Sequence, residues 1–258
     1  MKKSLKLISS EYLKKYSNRC RLNMTEIRKL RSKEISIKDF DHYFVASSLF
    51  SSKIEGNSLD FNSFYRNRGK TWFKSKEIGE IENLVSAYKF ASKKRLTQDN
   101  FLQAHRILSA TLMPFFQRGK YRKGRMGVYT STGELVYMAV EWELVPEEMD
   151  KLFSDIHYLL RVKLSNKEIF YYASMIHLWI AKIHPFNDGN GRSARLLEKW
   201  FLASKLGESV WSITSERYYW ENLRDYYANI SLGVNYYFLS WSKCLSFLLM
   251  LPKSLSEK

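Results

Sequence analysis

The run His184-Pro185-Phe186-Asn187-Asp188-Gly189-Asn190-Gly191-Arg192-Ser193-Ala194-Arg195 gathers a base, a carboxylate, a Gly-Asn-Gly turn and two arginines. An imidazole titrates nearest neutrality, so His184 can take a proton from an attacking hydroxyl. Asp188 is a hard oxygen ligand, suited to Mg²⁺ shared with phosphate oxygens. Gly189 and Gly191 allow torsions that let consecutive N–H groups, with Asn190 between them, converge on an anion. Arg192 and Arg195 fall in the first turn of the helix that follows, where the dipole disfavours cations unless an anion is bound beside them. Singly, each feature also suits a plain turn with solvated arginines. Together they can hold a nucleotide's phosphates and activate a nucleophile next to them.

The elements that must position this run are readable on both sides. Arg192 to Lys205 reads as a helix, with Ala194, Leu197, Phe201 and Ser204 on one face and Gly207 to stop it. The glycine turn therefore sits at a helix N-terminus, where unpaired N–H groups favour negative charge. Upstream, Ser165 and Glu168 make a capping-box pattern, and Ile169, Ala173, Ile176, Ile180 and Ile183 trace a buried face. His177 lies about 10 Å before His184 along that helix, too far to share a metal ion, and reads as structural. Tyr43, Ala46, Phe50 and Ile54 form an apolar stripe on an earlier helix. Ser51 and Glu55 share a neighbouring face of it, and Gly56 suits its end. A glutamate at a helix C-terminus opposes the dipole and calls for a cationic partner. Val128-Tyr129 and Leu135-Val136-Tyr137 flank Ser131-Thr132-Gly133-Glu134 as a hairpin does. After the motif, Thr214 or Ser215 can cap a helix with Tyr219, Leu223, Tyr226 and Ile230 on one side. The run Tyr236 to Leu251 is broken by Lys243 and serines and is short for a membrane span, so it reads as a packed C-terminal helix.

The twelve-residue run resembles the Fic family motif, HxFx(D/E)GNGRxxR, at every specified position. The resemblance is strongest over roughly 82–223 and extends upstream to Glu55. It implies an all-α fold, a Fic-like helical bundle with a small β-hairpin flap, that transfers AMP from ATP to a hydroxyl of a target protein. By matching position, His184 would be the base, Phe186 the anchor of the loop and Asp188 the Mg²⁺ ligand. Gly189, Asn190 and Gly191 would cradle phosphates, and Arg192 and Arg195 would contact the outer ones. Doc-type relatives, similar to kinases, carry lysine at the position of Gly191; phosphocholine-transferring relatives commonly carry alanine at that of Gly189. This chain has neither, which favours AMP transfer. Ser51-Ser52-Lys53-Ile54-Glu55-Gly56 also resembles the family's inhibitory pattern, (S/T)xxxE(G/N). There Glu55 would pair with Arg195 and fill the γ-phosphate's place. The hairpin, with Val128, Tyr129, Val136 and Tyr137, would be a flap that docks the target as an added strand. Tyr219 stands where relatives often have a tyrosine near the adenine. Gly119-Lys120-Tyr121-Arg122 resembles the family too, without an assigned role.

The expected organisation is a basic N-terminal helical extension over 1–80, containing the inhibitory helix, and a catalytic core over 81–258, together one compact unit. The chain has 258 residues, 45% of them hydrophobic, enough for a substantial core. Through Glu34 there are eleven Lys and Arg against three Glu, and the whole chain carries +16. With no recognition motif beside that charge, a solvated helical face is expected and nucleic acid is not. Met1-Lys2-Lys3 leads into no signal-peptide core, and Cys20 and Cys244 make no disulfide framework, which points to the cytoplasm. Expected cofactors are ATP as substrate and Mg²⁺; the expected partner is a protein with an accessible Ser, Thr or Tyr hydroxyl. The chain itself is a candidate target, self-assembly a candidate switch, and no membrane is expected. Two other readings stay open: a nucleotide-sensing module without transfer, and removal of AMP with Glu55 positioning water.

Overall fold

The computed structural model describes residues 5–32, 36–70, 75–129 and 132–255. Ser131 of the expected hairpin turn and Met1-Lys2-Lys3 lie outside the described residues. Helices α1 (Leu13–Arg19), α2 (Met24–Ser32), α3 (Ile37–Ile54), α4 (Phe61–Asn67), α5 (Lys76–Lys93) and α6 (Gln98–Leu108) come first. An antiparallel pair follows, β1 (Gly127–Tyr129) and β2 (Leu135–Met138). The chain then continues through α7 (Val145–Arg161), α8 (Asn166–Ile183), α9 (Asn190–Leu206), α10 (Ser215–Glu221), α11 (Leu223–Ile230), α12 (Leu245–Leu248) and α13 (Met250–Lys253). This is the expected all-α architecture with a small hairpin.

Side-chain oxygens fix where the helices start. Ser36, Asp60, Ser75, Thr97 and Ser165 each accept an N–H from the first turn of the helix they precede. Such caps contribute about 1 kcal/mol each. At Ser165 the bond returned by Glu168 completes the capping box. Nearly every side chain from Ile169 to Ile183 of α8 is buried, as is nearly all of α9 from Asn190 to Leu202. Helices buried all round must be central. The two pack against each other, with α3, α5, α6 and α7 around them. One continuous core runs from Ile8 to Leu251, drawing on residues from both sides of position 80.

The N-terminal segment is docked through its backbone. The Asp155 carboxylate on α7 accepts the N–H groups of Lys6, Leu7 and Ile8 at 2.7, 2.7 and 2.8 Å. Tyr171 donates its hydroxyl to Ser9 O, and Lys167 Nζ donates to Ser17 O. Lys14, Lys15, Arg19, Arg21, Arg28 and Lys29 remain exposed, a solvated charged face as the sequence suggested.

Two helices expected from periodicity are broken. The one over 214–230 divides at Asn222 (φ −113°, ψ 41°), whose Nδ2 and own N–H both donate to Tyr218 O. The C-terminal run becomes two 3₁₀ turns, Tyr236–Phe238 and Trp241–Lys243, followed by α12 and α13. Asn235 Oδ1 accepts the Tyr237 and Phe238 N–H groups, and Trp241 stacks on Trp179 of α8 with centroids 4.4 Å apart. Side-chain packing outranks the apolar period here. Among the described residues no helix is long and apolar enough to cross a membrane.

Candidate active site

The loop between α8 and α9 owes its shape to three side chains. Phe186 is buried and lies flat on His105, rings 3.5 Å apart at 9°. Asn190 accepts the Phe186 N–H (2.9 Å) and donates back to Phe186 O (2.8 Å). That side chain therefore staples the loop rather than facing a ligand. Arg122, 1% exposed, donates Nε to His184 O and Nη1 to Gly124 O, both at 2.8 Å, and Nη2 to Val140 O at 2.5 Å. Its own N–H donates to Pro185 O. One buried guanidinium thus ties the loop to the segments on either side of the hairpin.

His105 supports the loop from below. The Gly119 N–H donates to its Nδ1 at 3.0 Å, so Nε2 carries the proton and donates to Asp188 O at 3.0 Å. Burial pushes its pKa down to about 4, keeping it neutral in that tautomer. His105 shares the buried face of α6 with Phe101, Ala104 and Leu108, and neither that spacing nor the position of Arg122 reveals the loop contact each makes. Both act on main-chain carbonyls of a loop about 60–80 positions away.

His184 ends α8 in the left-handed region, with φ 51°, the one non-glycine with positive φ among the described residues. Such a conformation is costly before a proline and persists only where surroundings impose it. Here the Arg122 bond to its carbonyl does so. Its Nδ1 lies 3.3 Å from Ala181 O, which places the proton there and leaves Nε2 as the acceptor. Burial, chiefly, pushes its pKa down to about 4, assisted by the charges of Arg122 and Lys182 and opposed by Glu55. The imidazole is neutral at physiological pH and free to take a proton.

A candidate anion seat lies at the start of α9. Gly189 has φ 78°, and a Cβ there would press on Leu108 Cδ1 at 3.0 Å. The first helical bond of α9 is Ser193 N–H to Gly189 O. The N–H groups of the first turn therefore have no partner within the helix. Arg192 is bound by Glu80 of α5 through Nη1 and by Asp188 through Nη2 (3.0 Å), while its Nε is buried without an acceptor among the described residues. Arg195 is wholly enclosed. It donates Nε to Ser51 Oγ (2.8 Å) and Nη2 to Ser51 O (3.0 Å) and Glu55 Oε1 (2.6 Å). Burial alone would raise the Glu55 carboxyl, but the charges of Arg195 and Arg192 outweigh it and hold it below the usual range. A Cβ on Gly191 would collide with Glu55 Oε1 and sit 3.2 Å from Arg195 Nη1. The space above Gly191 is thus filled by a carboxylate, beside Arg192, Arg195 and first-turn N–H groups that have no partner within the helix.

Asp188 is half exposed, accepting from the Gly189 N–H (2.5 Å) and Arg192. Among the described residues no group of three His, Cys, Asp or Glu could hold a metal ion. A single carboxylate fits Mg²⁺, which binds through one or two carboxylates plus phosphates and water.

Several site residues expected from sequence lie elsewhere. Tyr219 has no exposed surface and donates its hydroxyl to Glu198 (2.9 Å), so it is a core residue and forms no wall of an open site. In the hairpin, Val128 faces Tyr137 in register, Tyr129 is 58% exposed and Val136 is also exposed. Tyr137 is buried and donates its hydroxyl to Lys182 O (2.7 Å), so it anchors the ribbon to α8 and is not part of its outer face. The edge of β2 is covered at Met138, whose N–H donates to Val234 O. Gly56 follows α3 with φ 95°. His177 is structural as expected, fully buried between Glu198 and Tyr226.

Comparison with known proteins matches residues 95–202 to the Fic/DOC family. A protein adenylyltransferase Fic from Nematostella vectensis is 28% identical over 130 residues, covering 47% of this chain and 27% of that protein. The chain thus spans about a quarter of that relative's length. Three solved structures share the fold. A Fic family protein from Desulfovibrio desulfuricans G20 has a TM-score of 0.75 at 18% identity, over 98% of this chain and 74% of that one. A Fic-domain signalling protein from Bacteroides thetaiotaomicron scores 0.67 at 20% identity, over 95% and 94%. Fic-1 from C. elegans scores 0.68 at 18% identity, over 95% and 69%.

Proposed function

We propose a mechanism for a chain that is, by its Fic/DOC domain at residues 95–202, a Fic family protein. That domain and the adenylyltransferase relative support a function of AMPylation type. Our finer reading is an adenylyltransferase restrained by its own Glu55, moving AMP from ATP to a Ser, Thr or Tyr hydroxyl of a target protein. His184 Nε2 takes the hydroxyl proton as the oxygen bonds to the α-phosphorus. The bond to the bridging oxygen breaks, and pyrophosphate leaves with the electron pair. Arg192 and Arg195, with the N–H groups of α9, balance the charge that develops; positioning and fixed electrostatics do the rest. Asp188 would hold Mg²⁺, which supplies charge neutralisation between the phosphates when bound. Exposed residues of the ribbon, Tyr129 and Val136, would meet the target. Cytoplasmic action, where ATP and the free buried Cys20 and Cys244 both belong, is part of the same reading.

One observation carries it: the Glu55 carboxylate rests on Arg195 directly over Gly191, at the mouth of a helix N-terminus. A carboxylate in an anion seat excludes the anion. The test uses wild type, Glu55→Gly and Glu55→Gly/His184→Ala with Mg²⁺ and α-phosphate-labelled ATP, with and without lysate. Label on protein only, or at least about tenfold more, in Glu55→Gly, and lost in the double variant, is the expected result. Equal labelling by wild type and Glu55→Gly removes the restraining role. ATP binding without label in any variant leaves a nucleotide-sensing module.

A further inference from the structure

Behind Arg195 a chain of buried polar groups runs away from the anion seat. Arg195 Nη1 donates to the Tyr226 hydroxyl at 3.1 Å. That hydroxyl lies 3.0 Å from His177 Nε2, and His177 Nδ1 lies 3.0 Å from Glu198 Oε2. Tyr219 closes the far end by donating to both Glu198 oxygens, at 2.9 and 3.1 Å. All of these side chains are at most 2% exposed. The directions of the bonds follow from the donor inventory. Arginine can only donate, so the Tyr226 oxygen accepts from Arg195. The Glu198 carboxylate can only accept, so His177 Nδ1 carries hydrogen and donates to it, and Nε2 of that tautomer accepts the Tyr226 proton. Every link points the same way, from guanidinium to carboxylate, so each bond polarises the next.

This matters because the groups on Arg195 differ in permanence. Glu55 occupies one Nη2 hydrogen; Ser51 and Tyr226 hold Nε, the second Nη2 hydrogen and one Nη1 hydrogen. When Glu55 leaves, a fork of two N–H groups, one on each Nη, faces the space over Gly191. That fork keeps its aim only if the remaining bonds hold the guanidinium plane. We propose that Tyr226, His177 and Glu198 are positioning residues that orient Arg195 toward the outer phosphates of ATP independently of Glu55. Glu198 is the buried carboxylate in which the chain of donors ends. This rests on the nucleotide reading given above.

Tyr226→Phe keeps the ring packed against Tyr219 and Phe247 and removes only the hydroxyl. Placed in Glu55→Gly protein, it is tested by calorimetric binding of ATP and, separately, AMP in Mg²⁺. Loss of one bond to a charged group predicts about tenfold weaker ATP binding. AMP lacks the outer phosphates, so its affinity should change less than about twofold. In turnover, the KM for ATP should rise more than kcat falls. Equal weakening of ATP and AMP, or no change in either, overturns the relay. Glu55→Gly protein that itself binds ATP no tighter than AMP defeats the phosphate reading, and the relay with it. If Tyr226→Phe melts too early for binding, Glu198→Gln serves instead. It preserves shape at the far end and removes the charge, and about a threefold loss selective for ATP is expected; a loss shared with AMP overturns the proposal.

Discussion

His184 and Glu55, the proposed base and restraint, titrate outside the physiological range for different reasons. Burial pushes His184 down to about 4, so its neutral form is fully present above about pH 5. Glu55 is held below the usual carboxylate range by Arg195 and Arg192, so its ion pair is intact at neutral pH and is lost only as pH falls through that lowered value. Two consequences are measurable. The kcat/KM of Glu55→Gly, which reports the free enzyme, should be flat between about pH 6 and 8, with no inflection near 6.5. Wild-type protein should not gain activity on acidification over that interval; a rise toward pH 6 would mean the carboxylate is released by protonation. Arg122 is the most heavily used loop support, with three carbonyl acceptors bonded at 2.8 Å or less. Arg122→Met should therefore abolish transfer and cost about 2–4 kcal/mol of stability, read by chemical unfolding. The motif residues of this site were plain in the sequence because they are contiguous. Tyr226 and His105 lie on the apolar periods of their helices and Arg122 in a segment that resembles the family, yet spacing could not tell what each touches, since each acts across the fold on a backbone atom or another buried group.

Among the elements, α3 meets Arg195 twice. Glu55 at its end accepts from the guanidinium, the proposed block, while Ser51, one turn earlier, supports it with Oγ and its carbonyl. Ser47, another turn back, accepts from the buried Lys199, which also binds Glu216. A helix so tied cannot leave without unseating the arginine to which the proposed mechanism assigns the outer phosphates. Release of Glu55 should therefore be a side-chain event. Amide hydrogen exchange in α3, compared between wild type and Glu55→Gly with and without ATP, should differ only around 54–57. Faster exchange along 41–50 would show that the helix undocks instead. The apolar stripe and the Ser51–Glu55 spacing made this helix legible, as the capping box did for α8. Periodicity failed over 214–230 and 236–251. There the Asn222 and Asn235 side chains bind neighbouring backbone groups, local bonding that hydrophobic spacing does not register.

At the scale of the molecule, the N-terminal segment closes over the outside of α7 and α8 and is held by Asp155. Asp155→Ala removes the acceptor of three N–H groups and should cost about 2 kcal/mol, lowering Tm by about 5 °C. Labelling by Glu55→Gly should be unaffected, because Asp155 lies away from the loop; a matching loss of activity would tie the segment to the site. The contact over Gly191 has a consequence of its own. Glu55 and Arg195 stand 140 positions apart in sequence, yet the fold brings one against the other in every copy of the protein. In the proposed mechanism Glu55 is thus a rival ligand that never diffuses away, present at a fixed effective concentration whatever the dilution. Restraint of this kind is graded. It should yield partly as ATP rises, be indifferent to how much protein is present unless copies meet, and leave untouched any nucleotide too short to reach the contested seat.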